Sequence, residues 1–248
     1  MTASSSADIW SGTARMGFGW GLFVGRAGDN RPHAHHAVQI MLSETPQRVW
    51  TATQGWQSGR GAVIGADVLH RLEESSQPVT LLYLEPDSAE GRQVAAHAPA
   101  DGLLPFMGIA CALAAAQASE NPMPAMVDCL FPAAQPRLQL QGDPVIEALI
   151  ASLPTTLPER LVIAAMAVQT GLSPSRVQHR FRAHTGLAVR PYLRWRRLLT
   201  ALDGVTRGLS LTDAALDAGF SDAAHFTRTF RRHFGIAPSV LLQLRTGV

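Results

Sequence analysis

The stretch AALDAGFSDAAHFTRTFRRHFGIAPS, residues 214–239, follows a looser copy of itself in the same chain. FRRHFGI at 230–236 restates FRAHTGL at 181–187, 49 residues earlier. Ala215-Leu216-Asp217-Ala218-Gly219-Phe220-Ser221 restates Ala167-Val168-Gln169-Thr170-Gly171-Leu172-Ser173 at an offset of 48. Self-similarity at a fixed spacing marks a repeated structural unit. Each copy reads helix, Gly, Ser, helix. Gly171 and Gly219 stand where a first helix must stop, and glycine accepts positive φ there at little steric cost. Ser173 and Ser221 stand where the next helix must start, and a hydroxyl there accepts orphan backbone N–H groups. Pro174 takes the first-turn position where proline is tolerated. Ala167 and Ala215, four residues before each glycine, are small enough for two helices to cross closely. This is the plan of a helix-turn-helix.

Around the second helix of each copy, residues of like character share a face. Phe226, Phe230 and Phe234 cluster with Ala223, and Val177 and Phe181 mark the same side of the first copy. These apolar stripes read as core. Opposite them lie His225, Arg228, Thr229 and Arg232 in one copy, and Ser175, Arg176, His179 and Arg182 in the other. Arg can bond guanine O6 and N7 together, and Ser, Thr and His can reach bases or phosphates. Between the copies, VRPYLRWRRLLTALDGV at 189–205 reads as a helix holding them at a fixed separation. Two such readers on one face of duplex DNA should enter successive major-groove turns, roughly 10 bp apart. The periodicity predicts helices at about 143–152, 159–169, 174–185, 189–203, 211–218, 222–234 and 238–245.

On these motifs, residues 143–245 resemble the DNA-binding domain of the AraC/XylS family of bacterial transcription regulators. Residues 214–239 are similar to the family's C-terminal signature, and GLSPSRVQHRFRAHTG at 171–186 resembles its first helix-turn-helix. The resemblance implies one helix-turn-helix on each side of a connecting helix, double-stranded DNA as partner and activation as the direction of control, with RNA polymerase as a further partner. Two departures stand out. Ala214 replaces a larger aliphatic, and VLLQLR at 240–245 replaces an aromatic-plus-Arg ending.

The 248 residues are 46% hydrophobic and 16% charged, enough to bury a core. The formal charge of +2 hides an asymmetry. Residues 1–142 carry 8 Arg and 12 carboxylates, residues 143–248 carry 13 Arg and 7, and the chain has no Lys. A basic back half suits a polyanion. Cys111 and Cys129 read as buried small hydrophobes in a reducing compartment. MTASSSADIW lacks the basic and apolar segments of a signal peptide, and no run is long enough to span a bilayer. A cytoplasmic protein without membrane contact is expected.

Residues from about 15 to 86 have the texture of strands. HHAVQIML, RVWTAT, GAVIG and VTLLYLE are short apolar runs between Gly and Pro punctuation, which argues for a sandwich or barrel. Helix is expected over about 102–118, a shorter helix within PMPAMVDCLF, and a domain boundary near 140. In RPHAHHAVQIML, strand alternation puts His33, His35, Gln39 and Met41 on one face. If that face points into a barrel, His70 from a later strand adds a third imidazole. Two readings stay open: polar walls of a small-molecule pocket, or ligands for a divalent transition metal. Trp50, Trp56, Met41 and Tyr83 read as core.

This half resembles a cupin barrel, the usual sensor fold of the family, with Gln39 where cupin enzymes place a metal-binding Glu. Residues 99–142 resemble the family's dimerisation helices, so Leu103, Met107 and Leu113 are candidates for a homodimer contact or for packing on the barrel. The expected fold is α+β and multidomain. A cupin-like barrel at 1–98 precedes a helical linker segment at 99–142. An all-α domain at 143–248 follows, two helix-turn-helices joined by a linker helix. The expected function is an effector-controlled DNA-binding regulator rather than an enzyme. A metal-responsive regulator and a metal-dependent cupin enzyme with an appended DNA-binding domain are the alternatives.

Overall fold

The computed structural model describes residues 10–17, 19–97, 101–104, 107–132, 142–153 and 159–246. The front half is an antiparallel sheet built from β1 (Ser11–Gly17), β2 (Trp20–Arg26), β3 (Val38–Thr51), β4 (Gly55–Ile64), β5 (His70–Leu72), β6 (Pro78–Leu84) and β7 (Asp101–Leu103). The strand order is β7-β4-β3-β6-β2-β1, with β5 also paired to β3. VQIML and RVWT, parts of two runs read as separate strands, belong to one strand, β3, which begins only at Val38 and whose register with β4 shifts between Leu42 and Gln47. Such an irregularity bends a strand, so one half of β3 pairs with β6 and the other with β5.

Alternation along β3 divides two cores. Val38, Ile40 and Leu42 pack with Leu82 and Leu84 beneath α2 (Ile109–Ala118) and α3 (Met123–Leu130). Met41 faces the other way, into a cluster with Phe23, Ile64, Leu72 and Leu81. Helix α1 (Ala89–His97) adds Val94 to the first cluster.

The back half holds α4 (Pro144–Ala151), α5 (Glu159–Thr170), α6 (Pro174–Thr185), α7 (Val189–Thr206), α8 (Leu211–Asp217) and α9 (Ala223–Phe234). The turns between α5 and α6 and between α8 and α9 pass through Gly171 at φ 66 and Gly219 at φ 82. The 18-residue helix α7 is about 27 Å long at 1.5 Å per residue, and it belongs to two cores. Its first turns give Val189, Tyr192 and Leu193 to a cluster with Val177 and Phe181. Its later turns give Trp195, Leu198, Ala201 and Val205 to a cluster with Phe226 and Phe230. Burying each of those phenylalanines contributes about 2–3 kcal/mol.

Several expectations are corrected. The helix expected over 102–118 begins only at Ile109, because 101–103 pair with β4 and Gly108 takes φ 89 ahead of the helix. A Cβ there would meet the Cys129 carbonyl oxygen. Cys111 and Cys129 are joined in a disulfide between α2 and α3, not left as separate thiols. Asp222, not Ser221, caps α9, accepting from the His225 N–H at 2.6 Å, while Ser221 donates to the Asp222 carboxylate. The last predicted helix is a 3-10 turn at Pro238–Gln243 followed by a strand, β8 (Arg245–Thr246), which adds to β1 in parallel. Trp56 lies outside the core, 42% exposed, with the Arg48 guanidinium 4.8 Å from its ring. The boundary near 140 and the first nine residues lie outside the described residues. Among the described residues no helix is long and apolar enough to cross a membrane.

Candidate DNA-binding face, interdomain cavity and histidine cluster

Helix α6 starts where Ser173 accepts from the Arg176 N–H and Pro174 fixes the first turn. With Val177 and Phe181 fully buried, Ser175, Arg176, His179 and Arg182 are all exposed. On α9, Phe226 and Phe230 are buried, His225, Arg228 and Arg232 are exposed, and Thr229 is half-buried. The Asp222 carboxyl is held below its ordinary range by the His225 N–H, the Ser221 hydroxyl and the nearby Arg228 charge. Arg231 on α9 and Arg190 and Arg194 on α7 are exposed as well, outside the set expected to face DNA. Arg180 differs from its neighbours: it makes a two-pronged ion pair with Asp143, the cap of α4, at 2.6 and 2.7 Å.

A cavity of about 390 Å³ lies where the two halves meet. Trp10, Leu22, Phe23, Gln39, Tyr83 and His33 line it from the sheet side. Trp195, Leu199, Phe230, Phe234, Ile236 and Leu241 line it from the helical side. Tyr83, read from sequence as core, is thus a cavity wall.

Polar contacts missed at the sequence level tie the halves together. Trp195 Nε1 donates to Glu85 Oε1 at 2.9 Å and the Tyr192 hydroxyl donates to Asp87 at 3.2 Å. Burial, then the Asp87 charge, pushes the Glu85 carboxyl up to about 7. His36 faces the Asp67 carboxylate through Nδ1 at 3.1 Å and the Thr185 carbonyl through Nε2 at 2.9 Å. Burial opposes its charge, but the Asp67 hydrogen bond and charge outweigh that and raise its pKa. Asp67 has φ 62, unusual for a residue with a side chain.

The three candidate histidines do come together. His33 and His70 sit on an isolated bridge, and His35 follows at the entry to β3. Their ring nitrogens lie within 4.8 Å of one another, a donor set that fits a divalent transition metal. Gln39 Oε1 lies 3.0 Å from His35 Nε2 and 3.2 Å from His70 Nε2. His33 and Gln39 also line the cavity, and His35 and His70 do not. Burial lowers all three pKa values, that of His33 to about 4, with charge on the neighbouring imidazoles adding to the effect for His33 and His70.

Residues 166–243 match the helix-turn-helix domain family. A probable transcription factor, PqrA of Proteus vulgaris, is 37% identical over 82 residues, 33% of this chain and 67% of that protein. YidL, an uncharacterised HTH-type transcriptional regulator of Escherichia coli, is 34% identical over 99 residues, 40% of this chain and 33% of that protein. RhaS of Salmonella arizonae, an HTH-type transcriptional activator, is 32% identical over 108 residues, 43% of this chain and 39% of that protein. The chain thus spans only about a third of the length of the last two. Among solved structures, ToxT from Vibrio cholerae superimposes over 94% of this chain and 100% of its own, with a TM-score of 0.58 at 12% identity. An unsaturated fatty acid-bound ToxT gives 0.58 at 11% identity, over 94% of this chain and 98% of its own. At that identity the likeness is one of fold: a cupin-like sheet domain followed by helix-turn-helices.

Proposed function

We propose, from the premise that this chain belongs to the AraC/XylS family of DNA-binding transcription regulators, that it reads an operator through both helix-turn-helices under control of an organic effector bound between its halves. The named relatives are regulators, not enzymes, which sets aside the cupin-enzyme alternative. The groove-facing set is Ser175, Arg176, His179 and Arg182 on α6, with His225, Arg228, Thr229 and Arg232 on α9. The observation that carries effector control is the cavity walled by both halves. A ligand shifts an equilibrium only by binding its two states differently, and one that touches both halves does so whenever they move apart. The lining is mainly aromatic and aliphatic with a few polar groups, which suits a ring- or chain-bearing small molecule.

Activation follows the direction named for the RhaS relatives, with RNA polymerase as the partner it needs. Homodimerisation would use Leu103 and Met107, 42% and 86% exposed, while Leu113 packs inward. A cytoplasmic location follows from work on the chromosome. The test is a selection of duplexes from a random library by the full chain, with and without cell extract. Two half-sites about 10 bp apart, with affinity altered by a small molecule from the extract, are expected. Leu199→Trp, which fills the cavity, should keep DNA binding and lose the response. Selection of no preferred sequence would sink the reading.

A further inference from the structure

We propose that Cys111 and Cys129 are a reversible redox site, in which a peroxide oxidises the Cys111 thiol and Cys129 closes the bond on it. The state of the bond reaches the DNA-binding half through Arg15; that second step rests on the regulator reading above, the thiol chemistry does not.

The two are the chain's only cysteines, so no third thiol can reshuffle their bond. They lie 18 residues apart, one on α2 and one on α3, with Cα atoms 5.8 Å from each other, a usual separation for bonded cysteines. A regulator at work on the chromosome sits among reduced thiols, where a disulfide is rare as a staple and commoner as a sensor.

The two positions differ in reactivity. Cys111 is exposed and is the third residue of α2. The amides of a helix's first turn have no partner within the helix and favour negative charge, so a thiolate is stabilised there. No acidic residue in that turn offsets the effect. Cys129 is half-buried and next to last in α3, at the end that disfavours an anion, with the exposed Asp128 beside it. Cys111 is therefore the attacking thiolate and Cys129 the resolving thiol, the division that redox-sensing cysteines use.

The Cys111 sulfur attacks one oxygen of hydrogen peroxide. The O–O bond breaks, hydroxide leaves and takes a proton to become water, and Cys111 is left as a sulfenic acid. The Cys129 sulfur attacks that sulfur, the S–S bond forms, and the sulfenic hydroxyl leaves with the Cys129 proton as a second water. Two thiols lose two electrons and one peroxide gains them. A dithiol reverses the change through a mixed disulfide and is itself oxidised.

Both states keep the fold, because Ala112, Ala116, Met123, Met126 and Val127 stay packed beneath the bond. The bond adds a clamp on the first turn of α2, where Gly108 lies against the Cys129 carbonyl. Arg15 holds the other end of α2, donating to the Ala116 and Ser119 carbonyls. It sits on β1, borders the cavity and follows Ala14, which pairs with Thr246 of β8. Freeing α2 at one end thus loosens what steadies the strand that carries β8.

The test uses full-length protein reduced with dithiothreitol, desalted and given one equivalent of hydrogen peroxide. Mass spectrometry should find both thiols free before and joined after, and dithiothreitol should restore them. Iodoacetamide should alkylate Cys111 at least about tenfold faster than Cys129. In Cys129→Ser, dimedone should trap the sulfenic acid on Cys111; in Cys111→Ser, the same peroxide should leave Cys129 a thiol. Equal alkylation, or a sulfenic acid on Cys129, overturns the division of roles. A bond that stays closed in a glutathione buffer of cytosolic ratio is a structural staple and overturns the proposal. The coupling is read as affinity for a selected duplex in the two redox states. It should differ by about fivefold or more, and peroxide should not change it in the Cys111→Ser/Cys129→Ser double variant. Equal affinities in protein that does switch overturn the coupling alone. Protein that switches but prefers no duplex overturns the regulator reading and the coupling, and leaves the redox site standing.

Discussion

Helices α6 and α9 end alike, on Gly186 at φ 77 and Gly235 at φ 70, yet the units they belong to meet the sheet domain differently. The first unit and the start of α7 touch it through polar groups: Thr185 with His36, Tyr192 with Asp87, and Glu147 with Arg92. The second is packed in. Ala37 joins the cluster around Phe226 and Phe230, and Phe234 lies against Tyr83 and His35. Leu244 enters the sheet domain's own cluster, and β8 extends its sheet. Polar seams exchange protein partners for water at modest net cost, whereas opening an apolar seam forfeits buried area. On the proposed reading, the first unit is the one free to swing, and the second moves only if the sheet domain releases it.

The largest effects should come from the two phenylalanine cores. Phe181→Ala and Phe230→Ala each remove a fully buried ring and should cost about 3–5 kcal/mol in urea denaturation. They separate in a second readout. Phe230 is a wall of the cavity and Phe181 is not, so only Phe230→Ala should alter the effector response. Equal loss of response in both would erase the distinction between the units.

Next is the Glu85–Trp195 bond. Its carboxyl is raised to about 7 by burial and by Asp87, from an ordinary value of 4.5. A raised acid contributes stability that is fully present below about 4.5 and is lost as pH rises through 7, because the unfolded chain ionises first. A shift of this size corresponds to about 3 kcal/mol. The urea midpoint should fall between pH 5 and 8 and then level off. Glu85→Gln keeps an acceptor for Trp195 and should flatten that part of the profile. An unchanged profile would remove Glu85 as its source.

These contrasts also mark what the sequence could carry. The repeat, its helices and the exposed basic faces were legible because apolar residues at helical spacing and paired glycines are local signals. His33, His35, Gln39 and His70 do meet, but not by strand alternation: His33 and His35 lie ahead of β3, His33 on a bridge to His70, so the expected grouping holds and its expected cause does not. The seam was not legible. Glu85, Asp87 and His36 find partners 105 or more residues away, and a lone charged residue after a strand looks like any solvated turn. The Cys111–Cys129 bond was missed because each thiol, taken singly, reads as a small buried hydrophobe. β8 was missed because two residues cannot show alternation.

Operator binding gives the third contrast. Arg228→Ala and Arg176→Ala should each cost about 1–3 kcal/mol if the guanidinium reads a base, with relaxed preference at one position in separate half-sites. Without effector, the packed second unit spends less on ordering itself, so Arg228→Ala should cost more than Arg176→Ala in duplex titrations. A uniform loss over all sequences would make either residue a phosphate contact instead.

The smallest change is Gly186→Ala. A side chain in the left-handed conformation costs about 1 kcal/mol, and its nearest neighbour would be the His36 ring at 3.5 Å, an ordinary contact. Nothing need move, so stability should drop slightly and the seam should hold. The same substitution at Gly235 carries the same backbone cost, but its Cβ would meet the Arg31 carbonyl oxygen at 2.5 Å and His33 Nδ1 at 2.7 Å. Two backbones must then part. The Arg31 amide, bonded to the Gly235 carbonyl, reports this directly. Its hydrogen exchange should quicken in Gly235→Ala and stay unchanged in Gly186→Ala. Equal exchange in both variants would mean that the second unit is no more tightly seated than the first.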